Sequence, residues 1–172
     1  LAYRLMCLQA HYRSELEFSW EGLGAALTRL KRLVMAVAPL RDVDAAEVAD
    51  KRLIDLLAKF DTAMSDDLNT AVALTLLEEA VAMKKVDAAQ KRGAIAVMDA
   101  VLGLQLLSLS RADLRVRPKA AAIGEDEIEA TLAKRKDARA AKDFAASDAL
   151  RDELIAAGVE VMDGDPLGWD WR

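Results

Sequence analysis

The chain has 172 residues, of which 53% are apolar and 31% are charged, and its net charge is −5. This composition is typical of a soluble globular protein with one good core, or one moderate domain plus a small appendage. Charged residues interrupt every apolar stretch well before the roughly 18 to 20 residues needed to cross a bilayer, and no signal peptide pattern is present. The sequence therefore predicts a cytoplasmic protein that does not bind a membrane.

The first residues already have the pattern of a helix interior. Leu1, Leu5 and Leu8 follow helical spacing, and the chain begins without a methionine, which suggests a fragment of a longer protein. Cys7 and His11 form an i, i+4 pair that could supply two metal ligands. Because the sequence holds no second Cys or His pair, ordinary packing is the favoured interpretation and no metal site is predicted.

Four further helical patterns follow up to residue 107, each with an apolar stripe at helical spacing. Ser19 caps the first and Pro39 stops it, Asp44 and Glu47 have the capping-box spacing that opens the second, and the third begins near Thr70. The stripes comprise Leu23, Leu27, Leu30, Val34 and Val37; Val48, Leu53, Leu56, Leu57, Phe60 and Met64; Leu74, Leu77, Val81 and Met83; and Ile95, Met98, Val101, Leu102 and Leu106. An antiparallel helical bundle over residues 1–107 is the simplest way to bury them.

A second, smaller unit is predicted after the bundle. Residues 108–124 lack sustained periodicity and are interpreted as an exposed linker. In residues 125–172, acidic residues open a helix, Gly158 permits a left-handed stop, and residues 159–162 alternate like a strand that residues 167–171 can pair with. The predicted fold class is mainly α: an antiparallel bundle followed by a small α+β module of helices and a β-hairpin.

Three segments resemble a known family. Residues 134–148, followed by the Gly158 stop, the short strand and the closing Trp169–Arg172, are similar to the extreme C-terminus of bacterial cysteinyl-tRNA synthetases. Residues 11–19 are similar to the segment by which that family enters its bundle. Residues 60–70 resemble its acidic motif between two bundle helices, although the family usually has Asp, Phe and Pro where Ser65, Leu68 and Ala71 stand. The resemblance covers nearly all of the chain.

The resemblance implies the C-terminal part of a class I ligase that activates cysteine with ATP and attaches it to cysteine tRNA. Residues 1–107 would brace the tRNA stem, and residues 125–172 would recognise the anticodon loop. The family's nucleotide-binding signatures, zinc ligands and amino-acid pocket all precede the point where this chain begins. No catalytic residue, metal ligand or cofactor is therefore expected here, ATP and zinc belong to the catalytic domain of the same protein, and a monomer is predicted.

The predicted tRNA-binding residues lie in the C-terminal module. Arg135, Arg139 and Lys142 are spaced by four and three residues, so on a helix they would form one cationic stripe that can follow a phosphate backbone. Phe144 follows directly and could stack on an unpaired base. From spacing alone, the alternative is that the arginines pair with acidic neighbours on a solvated helix face and that Phe144 belongs to the core.

The resemblance extends this set of residues. The family's anticodon-reading positions correspond to Arg139, Phe144, Asp148, Arg151 and Asp163, and Trp171 is added to the predicted set. Phe144 replaces what is commonly Trp, which keeps the stacking surface and loses the indole donor. Asp148 and Arg151 could address base edges with an acceptor and a fork of donors.

Two further motifs and the charge balance leave alternatives open. Asp66 and Asp67 could bind a metal, but a helix cap is favoured, and residues 11–13 could contact tRNA or brace the junction to the catalytic domain. From Glu125 onward seven Lys and Arg face thirteen Asp and Glu, a balance of −6, whereas non-specific nucleic-acid binders are usually basic. The alternative functions are a free-standing helical protein-interaction domain and a related ligase that joins cysteine to an amino-sugar.

Overall fold

The computed structural model describes residues 1–172 and divides them into two compact units, Leu1–Leu114 and Arg115–Arg172. The α-helices are α1 (Ala2–Leu8), α2 (Trp20–Val37), α3 (Lys51–Ser65), α4 (Thr70–Ala82), α5 (Ala88–Leu102), α6 (Glu125–Ala140) and α7 (Phe144–Ala156). Short 3-10 helices span Ala38–Leu40 and Ala112–Leu114, and the strands are β1 (Val159–Val161) and β2 (Trp169–Trp171). The mainly α fold class with a C-terminal hairpin is confirmed. None of the helices is both long and apolar enough to cross a membrane.

The first unit, Leu1–Leu114, is a helical bundle built from the predicted apolar stripes. Helix α1 packs on α2, α3 packs on α4, and α4 also packs on α5. Fully buried members of this core include Leu5, Leu30, Val34, Leu74, Leu77, Ile95 and Met98. Each such side chain contributes roughly 1.5–3 kcal/mol by leaving water, so the stripes are the main source of stability in this unit.

The second bundle helix begins later than predicted. Asp44 and Glu47 do not open it: α3 starts at Lys51, and the carboxylate of Asp50 caps it by accepting the amide of Arg52 at 2.9 Å. The preceding segment is held against α5 instead, because Gln90 Oε1 accepts the backbone amides of both Ala49 and Asp50 at 2.8 Å. The capping-box prediction is therefore wrong, since the spacing cannot reveal this competing tertiary contact.

A buried carboxylate organises the chain after α5. Asp99 is 8% exposed, and its two oxygens accept the amides of Leu104 at 3.0 Å and Leu106 at 2.7 Å. Burial raises the pKa of Asp99, while the backbone donors act in the opposite direction. Gly103 supplies the left-handed residue, with φ of 65°, that ends α5. Leu106 is thus buried from a turn and not from the predicted helix, whereas Val101 is 56% exposed.

The C-terminal unit, Arg115–Arg172, packs α6 against α7 and covers them with the hairpin. The strands are antiparallel, with Val159 opposite Trp171 and Val161 opposite Trp169. Its core consists of Ile123, Ile128, Leu154, Val159, Trp169 and Trp171. The segment 108–124 is shared between the two units, because Leu114 is buried in the bundle core and Ile123 in this one.

Two helical glycines offer a matched test of the bundle. A Cβ built on Gly93 in α5 would lie 2.5 Å from the carbonyl oxygen of Ala46, whereas a Cβ on Gly24 in α2 meets nothing within 4 Å. Gly93→Ala should therefore lower the free energy of unfolding by about 1–3 kcal/mol, because the 44–50 segment must move. Gly24→Ala should raise it by up to about 1 kcal/mol, because alanine favours the helix. Urea unfolding of both variants measures the difference, and equal effects would contradict this account.

Candidate nucleic-acid interface

Two of the sequence motifs meet in the bundle at Asp67. The hydroxyl of Tyr12 donates to Asp67 Oδ1 at 2.6 Å, and Arg13 Nη2 lies 3.1 Å from the same oxygen. His11 Nε2 lies 3.0 Å from the Asp67 carbonyl oxygen. The segment after α1 is thereby fastened to the turn between α3 and α4.

The α3–α4 turn has an unusual backbone that these contacts support. Asp67 and Leu68 both have positive φ, of 55° and 54°. Such a conformation is costly for residues other than Gly and persists where surrounding contacts hold it. The N-cap of α4 is Asn69, which accepts the amide of Val72 at 3.2 Å, so Asp66 and Asp67 do not provide the predicted cap. The cluster of residues 11–13 with Asp67 therefore serves as an internal brace of the bundle.

In the C-terminal unit, the corner between α6 and α7 presents an aromatic ring to solvent. Helix α6 ends at Ala140, and Lys142 takes a left-handed conformation with φ of 62°. Asp143 then caps α7 by accepting the amide of Ala146 at 3.0 Å. Phe144, the first residue of α7, is 63% exposed and is not part of the core. Lys142 lies beyond the helix, so the predicted stripe of three cations on one helix is not present.

A charge cluster joins α6 to the turn of the hairpin. Arg135 donates from Nη1 to Asp163 Oδ1 at 2.6 Å and from Nη2 to Oδ2 at 2.7 Å. Arg139, one helical turn later, places Nη1 3.2 Å from Asp163 Oδ2. The Arg135 side chain is only 8% exposed, whereas those of Arg139 and Asp163 are 51% and 54% exposed.

Helix α7 carries the other predicted residues on one face. Phe144, Asp148 and Arg151 are spaced by four and three residues, which places them on the same side of the helix. Arg151 lies 3.4 Å from Asp148 and 3.3 Å from Asp152, and all three charged side chains are well exposed. Asp148 also raises the pKa of Arg135, after the larger effect of Asp163.

Trp171 lies apart from this surface. It is 9% exposed, and it packs in the core with its ring edge-on to Trp169 at 5.4 Å between centroids. The structure therefore joins Arg135, Arg139 and Asp163 in one cluster and leaves Trp171 as a core residue. It places Phe144, Asp148 and Arg151 on one face of α7.

Arg115 is a residue that sequence reasoning missed. Its guanidinium lies 3.7 Å from the centroid of the Trp169 ring and donates to the carbonyl oxygens of Trp169 at 3.2 Å and Leu167 at 2.9 Å. The indole of Trp169 donates to Glu129 at 2.6 Å. Arg115 lies in the segment predicted to be a linker, and Trp169 lies in the hairpin 54 positions later. No local sequence pattern could therefore have paired them.

The charge cluster changes the titration of its members. Hydrogen bonding from Arg135 lowers the pKa of Asp163, and the charges of Arg135 and Arg139 act in the same direction. Asp163 is thus an ionised acceptor throughout the neutral range. No group of three or more His, Cys, Asp or Glu side chains converges to hold a metal ion.

Comparison with known proteins agrees with this architecture. Residues 124–172 match the family described as the cysteinyl-tRNA ligase anticodon binding domain. The whole chain is 67% identical to a cysteine–tRNA ligase of Novosphingobium aromaticivorans and 45% identical to one of Zymomonas mobilis. A third, from Laribacter hongkongensis, is 41% identical over 98% of the chain. The chain spans 35%, 40% and 36% of the lengths of these relatives.

The helix–hairpin unit with an exposed aromatic and paired charges is thus similar, over residues 124–172, to the anticodon-binding domain of a tRNA ligase. More particularly, residues 124–172 belong to the cysteinyl-tRNA ligase anticodon binding domain family. The predicted resemblance to the C-terminal region of cysteinyl-tRNA synthetases is confirmed, and the bundle shares it because the relatives match the full length of the chain.

The lowered pKa of Asp163 predicts how the C-terminal unit responds to acid. Because the folded-state pKa lies below that of the unfolded chain, protonation favours the unfolded chain. The stability that ionised Asp163 gives the folded unit is fully present above the ordinary carboxyl pKa. It is lost as the pH falls through the folded-state pKa. Acid unfolding of the C-terminal unit should therefore be less steep in Asp163→Asn, and this variant should be less stable than the parent near neutral pH.

Tryptophan fluorescence measures this effect in a Trp20→Phe background. Trp20 is 80% exposed and lies in the bundle, so its removal leaves Trp169 and Trp171 as reporters of the C-terminal unit. Glu160→Gln is the control, because it removes one exposed negative charge from the same unit and leaves the Arg135–Asp163 contact in place. Identical transitions in the parent and in Asp163→Asn would contradict the assignment.

Proposed function

We propose that this chain is the tRNA-binding part of a cysteine–tRNA ligase, in which the C-terminal unit recognises the anticodon loop of cysteine tRNA. The observation that carries the proposal is Phe144, exposed at the start of α7 within residues matched to the anticodon-binding family. The Phe144 ring does not pack in the core, so its burial does not stabilise the unit. It offers a face on which an unpaired base can stack.

The charges beside Phe144 suit discrimination more than general attraction. The exposed guanidinium groups of Arg139 and Arg151 are already paired with carboxylates, at 3.2 and 3.4 Å. Exposed pairs of this kind contribute little to stability, so an RNA group can replace the carboxylate at Arg151 at small cost, while Arg139 keeps further N–H donors besides the one on Asp163. The surrounding negative charge repels phosphate, and only a loop whose bases satisfy both the acceptors and the donors compensates for this repulsion.

The bundle has a separate part in the proposal. It would brace the stem of the tRNA, while its own cluster at Asp67 keeps the connection after α1 in one conformation. Activation of cysteine with ATP, and selection of the thiol by zinc, would take place in a catalytic part outside these 172 residues.

The family match favours this function over the two alternatives. A free-standing interaction domain, or a cysteine:amino-sugar ligase, has no use for residues that match an anticodon-binding family. The same residues carry the exposed Phe144 surface, so the match and the geometry point to one activity. We propose that the protein acts in the cytoplasm as a monomer.

Substitution of Phe144 tests the proposal. Phe144→Ala should weaken binding of cysteine tRNA by about 1–3 kcal/mol, because the stacking surface is lost. The same transcript with a replaced anticodon should bind the parent protein more weakly than the cognate transcript and should be insensitive to Phe144→Ala. Fluorescence anisotropy at low and moderate salt measures both.

Phe18→Ala is a matched control in the bundle. Phe18 is also an exposed phenylalanine, at 49%, but it lies against Tyr3 and Trp20. Its removal should leave the anticodon preference unchanged. Equal affinity of the parent protein for both transcripts, or an unchanged preference in Phe144→Ala, would show that the unit does not read the anticodon.

A further inference from the structure

We propose that Arg135 is a positioning residue for anticodon recognition: its buried guanidinium fixes the Asp163 carboxylate, which in turn orients Arg139 toward the RNA. This inference rests on the proposed function of the same surface. It assigns different roles to three residues that a single charge pattern would treat alike.

Arg135 itself is unable to reach an RNA loop. Its side chain is 8% exposed, its Nε is buried without a partner, and both terminal nitrogens are directed to Asp163. A guanidinium held in this way is a fixed part of the unit and not a mobile surface cation. Its planar fork matches the two oxygens of a carboxylate, a geometry that lysine cannot reproduce.

Asp163 and Arg139 are the exposed ends of this arrangement. A carboxylate can accept about four hydrogen bonds. Arg135 takes one at each oxygen and Arg139 contacts Oδ2, so acceptor capacity remains at Oδ1. Since both side chains are about half exposed, they present an acceptor and a donor next to each other. A base edge also carries a donor and an acceptor. Asp163 and Arg139 can therefore bind the same base together, provided that the distance between them is fixed.

The position of Asp163 explains why it needs support. It follows β1 at the start of the hairpin turn, where Met162 donates its amide to the carbonyl oxygen of Gly168 at 2.8 Å. The turn is exposed at Asp163 and Gly164. Arg135 extends from the middle of α6 and ties this turn to the helix that also carries Arg139. Acceptor and donor therefore share one rigid support.

The test is a double-mutant cycle on the whole chain. Cysteine tRNA and the same tRNA with a replaced anticodon are the probes, and the preference is the ratio of their dissociation constants. Arg135→Lys keeps the charge and removes the fork, so the preference should fall about tenfold while binding of the replaced-anticodon tRNA changes little. If Arg135 acts through Asp163, the double variant Arg135→Lys with Asp163→Asn should lose no more of the anticodon preference than Asp163→Asn alone.

Two measurements separate positioning from a loss of structure. Because Asp163 is 54% exposed, Arg135→Lys leaves a solvated carboxylate, and the near-ultraviolet signal of the Trp169–Trp171 pair should persist. The Nε–H resonance of Arg139 should shift alike in Arg135→Lys and Asp163→Asn. Ile128→Val, which trims the core of the same unit two helical turns before Arg135, should shift neither this resonance nor the preference.

The outcomes distinguish this inference from the proposed function. The positioning role would be overturned if the two substitutions reduced the anticodon preference additively, or if Arg135→Lys left the preference unchanged. This would hold even if Phe144→Ala still abolished discrimination. A parent protein with no anticodon preference would overturn both. If Arg135→Lys lost its tryptophan signal, Asp163→Asn would decide the matter: an unshifted Arg139 resonance would refute the link between Asp163 and Arg139.

Discussion

Trp169 is where three separate segments of the C-terminal unit meet. Arg115 covers one face of the ring, Trp171 packs edge-on against it, and Glu129 of α6 accepts a hydrogen bond from its indole N–H. The side chain is 1% exposed. A unit of this size has little apolar area to bury, and a large aromatic that also satisfies its polar group contributes more than an aliphatic residue can. The hairpin, and with it the position of Asp163, depends on this burial.

The same unit combines a rigid interior with a surface of replaceable pairs. Arg135 and Asp163 form a bidentate contact at 2.6 and 2.7 Å, whereas Arg139 and Arg151 make longer and more exposed contacts. Buried and exposed pairs differ in cost, because a buried charge left without its partner is strongly destabilising and an exposed one is solvated. A tRNA loop can therefore contact the outer arginines without disturbing the inner one.

Local patterns in the sequence predicted the helices and the hairpin well. Most of the bundle stripes, the Ser19 cap and a hairpin of residues 159–162 with residues 167–171 depend on neighbours along the chain, and the structure shows them. Val101 and Leu106 are the exceptions in the stripes, and the strands are shorter than predicted. The failures depend on distant contacts. Asp44 and Glu47 have the spacing of a capping box, but Gln90 holds the chain beyond them in another conformation. The start of α3 is thus determined by a residue 40 positions away.

The candidate site was predictable in its location more than in its geometry. Phe144, Asp148 and Arg151 could be placed on one helix face because their spacing alone determines it. The separation of Arg135 from Lys142 could not be foreseen, since it requires the end of α6 and the approach of the hairpin turn. Trp171 could not be distinguished from an exposed aromatic, because a two-stranded hairpin gives no sign of which face is covered. Arg115 lay in a segment with no periodicity at all.

The paired state of the outer arginines also determines how ionic strength acts on this surface. A basic protein gains much of its affinity for nucleic acid by releasing counterions from phosphate, and it loses this gain as salt rises. Here Arg139 and Arg151 already hold carboxylates, so their contacts with an RNA add little net attraction between opposite charges. Salt therefore has little such attraction to screen. Selection between bases should then remain nearly constant over concentrations of salt that remove non-specific binding.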